Sequence, residues 1–228
     1  MSSAIQVTSV YYPESDGKPM GETDVHRDEM IRQLELLRRF YAGQDVYVSG
    51  NLLVYYEQGN PKKFVVPDVF VVKDTDPRKR RIFKLWVERR IPNVIIETTS
   101  RKTKKQDSLV KPELYRQLGI PEYFLFDPTE DYLHPPLQGN RLAGDQYERI
   151  AADARGTLFS RELGLRLQAE GGQLMFYRLD TGERLLTAEE ARRIEAEARR
   201  IEAEARRNAE AEVARLREEL RRLTGRPS

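Results

Sequence analysis

The sequence has no cysteine and only two histidines in 228 residues. That excludes a disulfide framework and any thiolate zinc site, and it leaves little room for a histidine-rich metal centre. No run approaches the roughly 18 consecutive apolar residues of a membrane-spanning helix. The opening stretch, MSSAIQVTSVYYPESDGKP, lacks the charged and apolar segments of a secretory leader. A soluble, cytoplasmic protein with no membrane partner is the expectation. Gly-Xaa-Gly phosphate loops, Walker motifs and a serine nucleophile elbow are missing as well, which argues against a nucleotide-driven motor and a serine hydrolase. Net charge is nearly absent too, at +2 from 39 basic and 37 acidic residues.

That balance hides an uneven distribution. From Thr187 to Ser228 the chain carries 11 Arg and 10 Glu, with no Lys, Asp or aromatic residue. Residues 73–111 hold 13 Lys or Arg against 5 Asp or Glu, a local excess that an anionic partner would meet whatever the total. With 39% apolar residues, a core can still be buried.

The pattern divides the chain into three parts: a flexible lead-in over 1–22, a folded domain over 23–186 and a helical tail over 187–228. In residues 24–42, Met30, Leu34, Leu37 and Tyr41 step by 4, 3 and 4 and predict a helix. Strands are expected at Val46–Val48, Leu52–Tyr56, Phe64–Val72, Asn93–Thr99 and Tyr123–Asp127, with a helix near 103–118 closed by Gly119. Shorter strands follow, including Leu163–Leu167 and Leu174–Leu179. The order predicts an α/β class, a mixed sheet flanked by helices. In the tail, Thr187 with Glu190 forms a capping box, and ARRIEAE occurs twice in succession, at 191–197 and 198–204. Ala191, Ile194, Ala198, Ile201 and Ala205 follow heptad spacing. Val213, Leu216, Leu220 and Leu223 resume it after a slip of one residue near Asn208. This predicts a coiled coil and hence a homo-oligomer. A solvated single helix held by Arg–Glu pairs is the plainer alternative.

Two carboxylates interrupt apolar runs: Asp68 in FVVPDVFVV and Glu97 in NVIIETTS. A charge in such a run is costly unless it is paired, metal-bound or at a strand end facing water. If the two strands are neighbours, the acids converge, and with a backbone carbonyl they make a hard-oxygen site suited to Mg²⁺. Equally, each could sit at a strand end beside an arginine. Asp107, Lys111 and Tyr115 are spaced four apart and share one helical face, so Lys111 can aim its ammonium at the carboxylates. A solvated basic face with Tyr115 in the core is the alternative, and Pro112 interrupts the helix either way.

PDVFVV at 67–72, VIIETTS at 94–100, DSLVKPELY at 107–115 and GIPEYFLFDP at 119–128 occur in this order. Together they resemble the Uma-type endonuclease family of the PD-(D/E)xK, restriction-endonuclease-like superfamily, over roughly residues 20–185. The resemblance implies a restriction-endonuclease-like mixed sheet and Mg²⁺-dependent hydrolysis of DNA, with Mn²⁺ as a substitute. It places Asp68 and Glu97 in the two acidic motif positions, with the carbonyl of Thr98 as a third metal ligand. The superfamily lysine would fall at Thr99; Lys111 is the natural replacement, with Lys102, Lys104 or Lys105 in reach. In some related nucleases a glutamate of the first helix joins the metal site, which draws attention to Glu22 beside His26. Arg78–Lys84 and Arg101–Lys105 are candidates for phosphate contacts, and Trp86 for stacking on a base or packing in the core. Two other readings remain: a catalytically inactive nuclease fold that binds nucleic acid, and an adaptor whose working part is the coiled coil.

Overall fold

A computed structural model describes residues 10–17, 23–100, 103 and 106–225. The chain falls into two compact units, Met1–Leu185 and Leu186–Ser228. Glu22, Arg101, Lys102, Lys104, Lys105 and most of the lead-in over 1–22 lie outside the described residues.

The first unit opens with helix α1 (Asp24–Phe40), whose N-cap Thr23 accepts a hydrogen bond from the His26 backbone N–H. Met30, Leu34, Leu37 and Tyr41 are buried, as their spacing predicts, and so is Leu36. Five strands follow: β1 (Val46–Ser49), β2 (Val54–Tyr55), β3 (Phe64–Val65), β4 (Val69–Lys73) and β5 (Phe83–Lys84). After a four-residue helix α2 (Leu85–Glu88) come β6 (Val94–Thr98), a π-helical turn (Gln106–Val110), α3 (Lys111–Gln117) and β7 (Glu122–Phe126). Strands β8 (Leu137–Ala143), β9 (Gln146–Arg149), β10 (Leu158–Ser160), β11 (Leu165–Glu170) and β12 (Gln173–Arg178) complete the unit.

Six strands form the central sheet in the order β1-β4-β6-β7-β8-β9. Only β6 and β7 run parallel; their neighbours pair antiparallel. Side chains alternate across this sheet with period two, and both faces are covered, which is why the central strands are apolar throughout. One face carries Val69, Val71, Val94, Ile96, Phe124 and Phe126 against α1 and the β10–β12 sheet. The other carries Phe70, Val72, Ile95, Tyr123 and Leu125 with Tyr115, Ile120, Val54 and Phe83.

The run Phe64–Val72, expected as one strand, is two. Phe64 and Val65 pair with β2 in a small sheet, whereas Val69–Lys73 joins the central sheet. Pro67 has no N–H for a ladder and separates the two segments, leaving Asp68 immediately ahead of β4 rather than within a strand. The helix expected near 103–118 is interrupted in a comparable way. Pro112 cannot supply an N–H to the carbonyls one turn behind it, and the chain passes through the π-helical turn before α3 begins.

Two buried acids of this unit are structural. The Asp127 carboxylate accepts from the backbone N–H groups of Thr129, Tyr132 and Leu133, which closes the loop after β7. Glu122 accepts from Arg141 Nε at 2.8 Å, from the Arg161 N–H at 3.0 Å and from the Ser160 hydroxyl. It thereby ties the turn after β10 to the central sheet.

In the second unit, α4 (Ala188–Thr224) begins with the expected capping box, Thr187 with Glu190, and ends at Gly225 in a left-handed conformation. Ion pairs run along it, among them Arg199–Glu195 at 2.6 Å and Arg206–Glu210 at 2.8 Å. Ile194, Ile201, Val213, Leu216, Leu220 and Leu223 are exposed along this helix. No helix among the described residues is long and apolar enough to cross a membrane.

Glu122 is fully buried, so truncating it strands the Arg141 guanidinium and two backbone donors. Glu122→Ala is expected to lower unfolding free energy by about 3 kcal/mol. A urea denaturation series measures this, and a shift below about 1 kcal/mol would remove the structural role assigned to that carboxylate.

Candidate active site

Strand alternation decides where the two sequence-predicted acids point. Glu97 lies two residues after Ile95, and Asp68 two residues before Phe70, so both project toward the face covered by α3. In the antiparallel β4–β6 ladder, Val69 is opposite Ile96 and Phe70 opposite Ile95. Continuing that register sets Asp68 opposite Glu97. The Asp68 backbone N–H donates to Glu97 Oε2 at 3.3 Å, and the Thr98 N–H donates to Asp68 Oδ2 at 2.8 Å. Two carboxylates facing each other across a ladder repel, so this rung is maintained by what surrounds it.

The backbone around Asp68 is fixed from below by Gly50. A Cβ built at that position would lie 1.9 Å from the Asp68 carbonyl oxygen, so no other residue fits there without displacing the Pro-Asp turn. The neighbouring Asn51 N–H donates to the Pro67 carbonyl at 2.8 Å and fastens the same turn.

From the other side, α3 and the turn before it deliver three side chains at spacing four. Lys111 Nζ lies 2.8 Å from Glu97 Oε2 and 2.8 Å from Asp107 Oδ1. The Tyr115 hydroxyl donates to Glu97 Oε1 at 2.6 Å. The Tyr123 hydroxyl, from β7, donates to the Asp107 carbonyl. Asp68, Glu97 and Lys111 are therefore adjacent, and the open alternative of a solvated Lys111 does not describe this side chain. The carbonyl bearer Thr98 is fully buried, and its side chain turns to the opposite face, where Gln33 Nε2 donates to its hydroxyl at 3.3 Å.

Three carboxylates, from Asp68, Glu97 and Asp107, surround one ammonium. Glu97 has no exposed surface and Asp107 almost none, while the Asp68 side chain keeps 14%. Burial pushes the Glu97 carboxyl up to about 8, with Lys111 pulling it down and Asp68 and Asp107 adding to the rise. For Lys111, burial opposes the charge, but the carboxylates of Glu97, Asp107 and Asp68 outweigh it, so its pKa stands above the ordinary lysine value. The Tyr115 and Tyr123 hydroxyls are raised well above normal, first by burial and then by Glu97, and stay protonated donors.

Sequence reasoning under-weighted His26. It is buried on α1, with Nε2 3.1 Å from Asp68 Oδ2. Its only sequence signal was a place near the start of the first helix. Glu29, on the same helix, is held elsewhere: it accepts from the Leu174 N–H at 2.8 Å and from Gln33 at 3.1 Å. Gly50 and the Tyr123 hydroxyl left no recognisable pattern, whereas the Asp107-Lys111-Tyr115 spacing did. Within the basic stretch 78–84, Arg80 is committed internally: its guanidinium pairs with Glu88 at 2.9 Å and lies over the Tyr47 ring. Arg81 pairs with Glu14. Trp86 packs beside Tyr12 at 5.3 Å between ring centroids, and His134 sits in the loop before β8. Among the described residues, no group of three or more His, Cys, Asp or Glu side chains forms a metal cage.

Residues 16–189 match the model of the Uma2 family, described as "Putative restriction endonuclease". Among solved structures, the chain is similar to a protein from Anabaena variabilis ATCC 29413 titled a "putative nuclease belonging to DUF820". The identity is 16% and the TM-score 0.47, over 64% of this chain and 76% of that one. No curated protein matches significantly.

The raised Glu97 carboxyl gives a stability test. Its folded value, about 8, lies above the ordinary 4.5. The stability associated with this group is therefore complete below pH 4.5 and is lost as pH rises through about 8. Glu97→Gln needs no proton, so it is expected to raise the melting temperature of the metal-free chain more at pH 8 than at pH 5. Equal shifts at the two pH values would mean that Glu97 is ionised throughout.

Proposed function

The chain belongs to the Uma2 family, and on that footing we propose that it is a Mg²⁺-dependent DNA endonuclease that hydrolyses phosphodiester bonds. The observation that carries this reading is the convergence of Asp68 and Glu97 on one ladder rung with Lys111 against them.

The donor set fits a hard divalent cation. Mg²⁺ takes one or two protein carboxylates and keeps several waters, and the Asp68 and Glu97 carboxylates, with the Thr98 carbonyl, are of that kind. The charge fits as well: burial and the neighbouring Asp68 and Asp107 help Glu97 hold its proton, and a divalent ion beside it would favour release of that proton and the carboxylate form. Asp68 Oδ2 is occupied by the Thr98 N–H and by His26, while Oδ1 accepts no hydrogen bond among the described residues and is the oxygen available for a ligand. Bound there, the ion would supply polarisation of the phosphate and a lowered pKa for attacking water.

The chain's own residues do the rest. Asp68 and Glu97 present oxygens in a fixed mutual orientation, because each is tied to the other's backbone neighbourhood. Lys111 stays protonated and stabilises the extra negative charge of the pentacovalent transition state. The Tyr115 hydroxyl keeps one Glu97 oxygen turned away from the phosphate side. DNA is the expected partner, drawn by the excess of lysine and arginine over residues 73–111, with salt-dependent affinity and little sequence preference. The exposed heptad pattern of α4 supports a homo-oligomer through that helix, located with the rest of the chain in the cytoplasm.

Plasmid DNA should be nicked or linearised with Mg²⁺ or Mn²⁺ and left intact in EDTA. Asp68→Ala, Glu97→Ala and Lys111→Met should each lower the cleavage rate by more than about a hundredfold. Cleavage that survives both acidic substitutions would refute the site. Salt-sensitive DNA binding with no cleavage under any metal would favour the inactive, DNA-binding form of the same fold.

A further inference from the structure

We propose that Asp107 is a positioning residue that keeps Lys111 in the site while Glu97 exchanges that lysine for the divalent cation. This rests on the metal-dependent reading above and concerns how the empty and the loaded site differ.

The Glu97 carboxylate has no spare oxygen in the metal-free protein. Oε1 accepts from Tyr115, and Oε2 accepts from the Asp68 N–H and lies 2.8 Å from Lys111 Nζ. A cation cannot approach Oε2 closely while an ammonium is there, because the two repel at contact distance. Binding therefore moves the ammonium away from Glu97. A lysine released in this way would ordinarily turn outward, since four rotatable bonds and strong hydration favour water.

Asp107 prevents that departure. Its Oδ1 is already 2.8 Å from the same ammonium, and the residue is almost wholly buried. Among the described residues, no hydrogen bond reaches its other oxygen, Oδ2. A buried carboxylate without hydrogen-bond donors is strongly destabilising unless a cation compensates it. Lys111 is that cation, and this pairing does not depend on Glu97. The berth is also rigid. The Asp107 N–H donates to the Thr103 carbonyl at 2.9 Å, and its own carbonyl is held by the Tyr123 hydroxyl behind Pro112. The π-helical turn thus carries a fixed second anchor beside the exchanging one. Loading the site shifts the ammonium from a position shared between two carboxylates to one held by Asp107 alone, still beside the bound phosphate.

The structure of the full chain with Mn²⁺ bound tests this directly. Lys111 Nζ is expected within hydrogen-bond distance of Asp107 and no longer in contact with Glu97. An ammonium still touching Glu97 Oε2, an ammonium that has left both acids, or Mn²⁺ ligated by Asp107 would each overturn the proposal. In cleavage assays, Asp107→Asn should lower kcat by about a hundredfold, leaving KM and Mn²⁺ affinity within about threefold. In the Lys111→Met background the same substitution should change kcat by less than about threefold. An undiminished effect there would show that Asp107 acts other than through Lys111. Calorimetric titration with Mn²⁺ separates the two levels. A wild-type chain that binds no Mn²⁺ overturns the metal reading itself, whereas binding that Asp68→Asn abolishes, with the lysine misplaced, overturns only the role of Asp107.

Discussion

The constraint on which the site depends is the burial of one carboxylate, Glu97, in the middle of a six-stranded sheet. A charge there is tolerable only if hydrogen bonds and an opposite charge surround it. Tyr115 and Lys111 supply these from α3, and the Asp68 backbone from the turn ahead of β4. The placement of α3, the turn ahead of β4 and the pairing of β4 with β6 all serve the same group. Glu122 offers a contrast. Glu122 is as deeply buried, but it is saturated by an arginine, a hydroxyl and backbone donors that nothing displaces. Glu97 is compensated chiefly by an ammonium, a partner that another cation can replace.

Helical irregularity is part of the same design. The Tyr123 hydroxyl, which donates to the Asp107 carbonyl, ties this irregular segment to β7. Pro112 opens the ladder behind it, and the π-helical turn sets Asp107 inward beside Lys111. π-Turns inside helices recur at functional sites because they re-aim a side chain without unfolding the helix. In this chain the re-aimed side chain is an acid with no hydrogen bond to its Oδ2 among the described residues.

Much of this could be read before any coordinates, and the physical reason is periodicity. Asp68 and Glu97 stand out because each interrupts an apolar run, and the four-residue spacing sets Asp107, Lys111 and Tyr115 on one helical face, whereas the face that the acids share follows from the β4–β6 pairing. Other parts could not be read. FVVPDVFVV looks like one strand because local pattern does not reveal that its two halves pair in different sheets. His26 reaches Asp68 from 42 residues away, and Gly50 matters only because a distant carbonyl abuts it. Arg80 reads as a solvated cation until Glu88 and Tyr47 enclose it. Each of these depends on tertiary contact, which composition and spacing do not encode.

The alternation that gathers Asp68 and Glu97 also imposes a parity rule on the chain between them. Side chains change face with every residue, so inserting or deleting one position within β4 or β6 would not merely shift an acid along its strand. It would turn the acid to the opposite face, among the apolar side chains packed against α1. Changes of length by two would restore the face and miss the rung. The distance between these two residues can therefore drift only in the connection between the strands, residues 74–93, where α2 and the arginine-rich segment lie. Within that connection, length changes that spare β5 and the Arg80–Glu88 pair leave the faces of both acids unaltered.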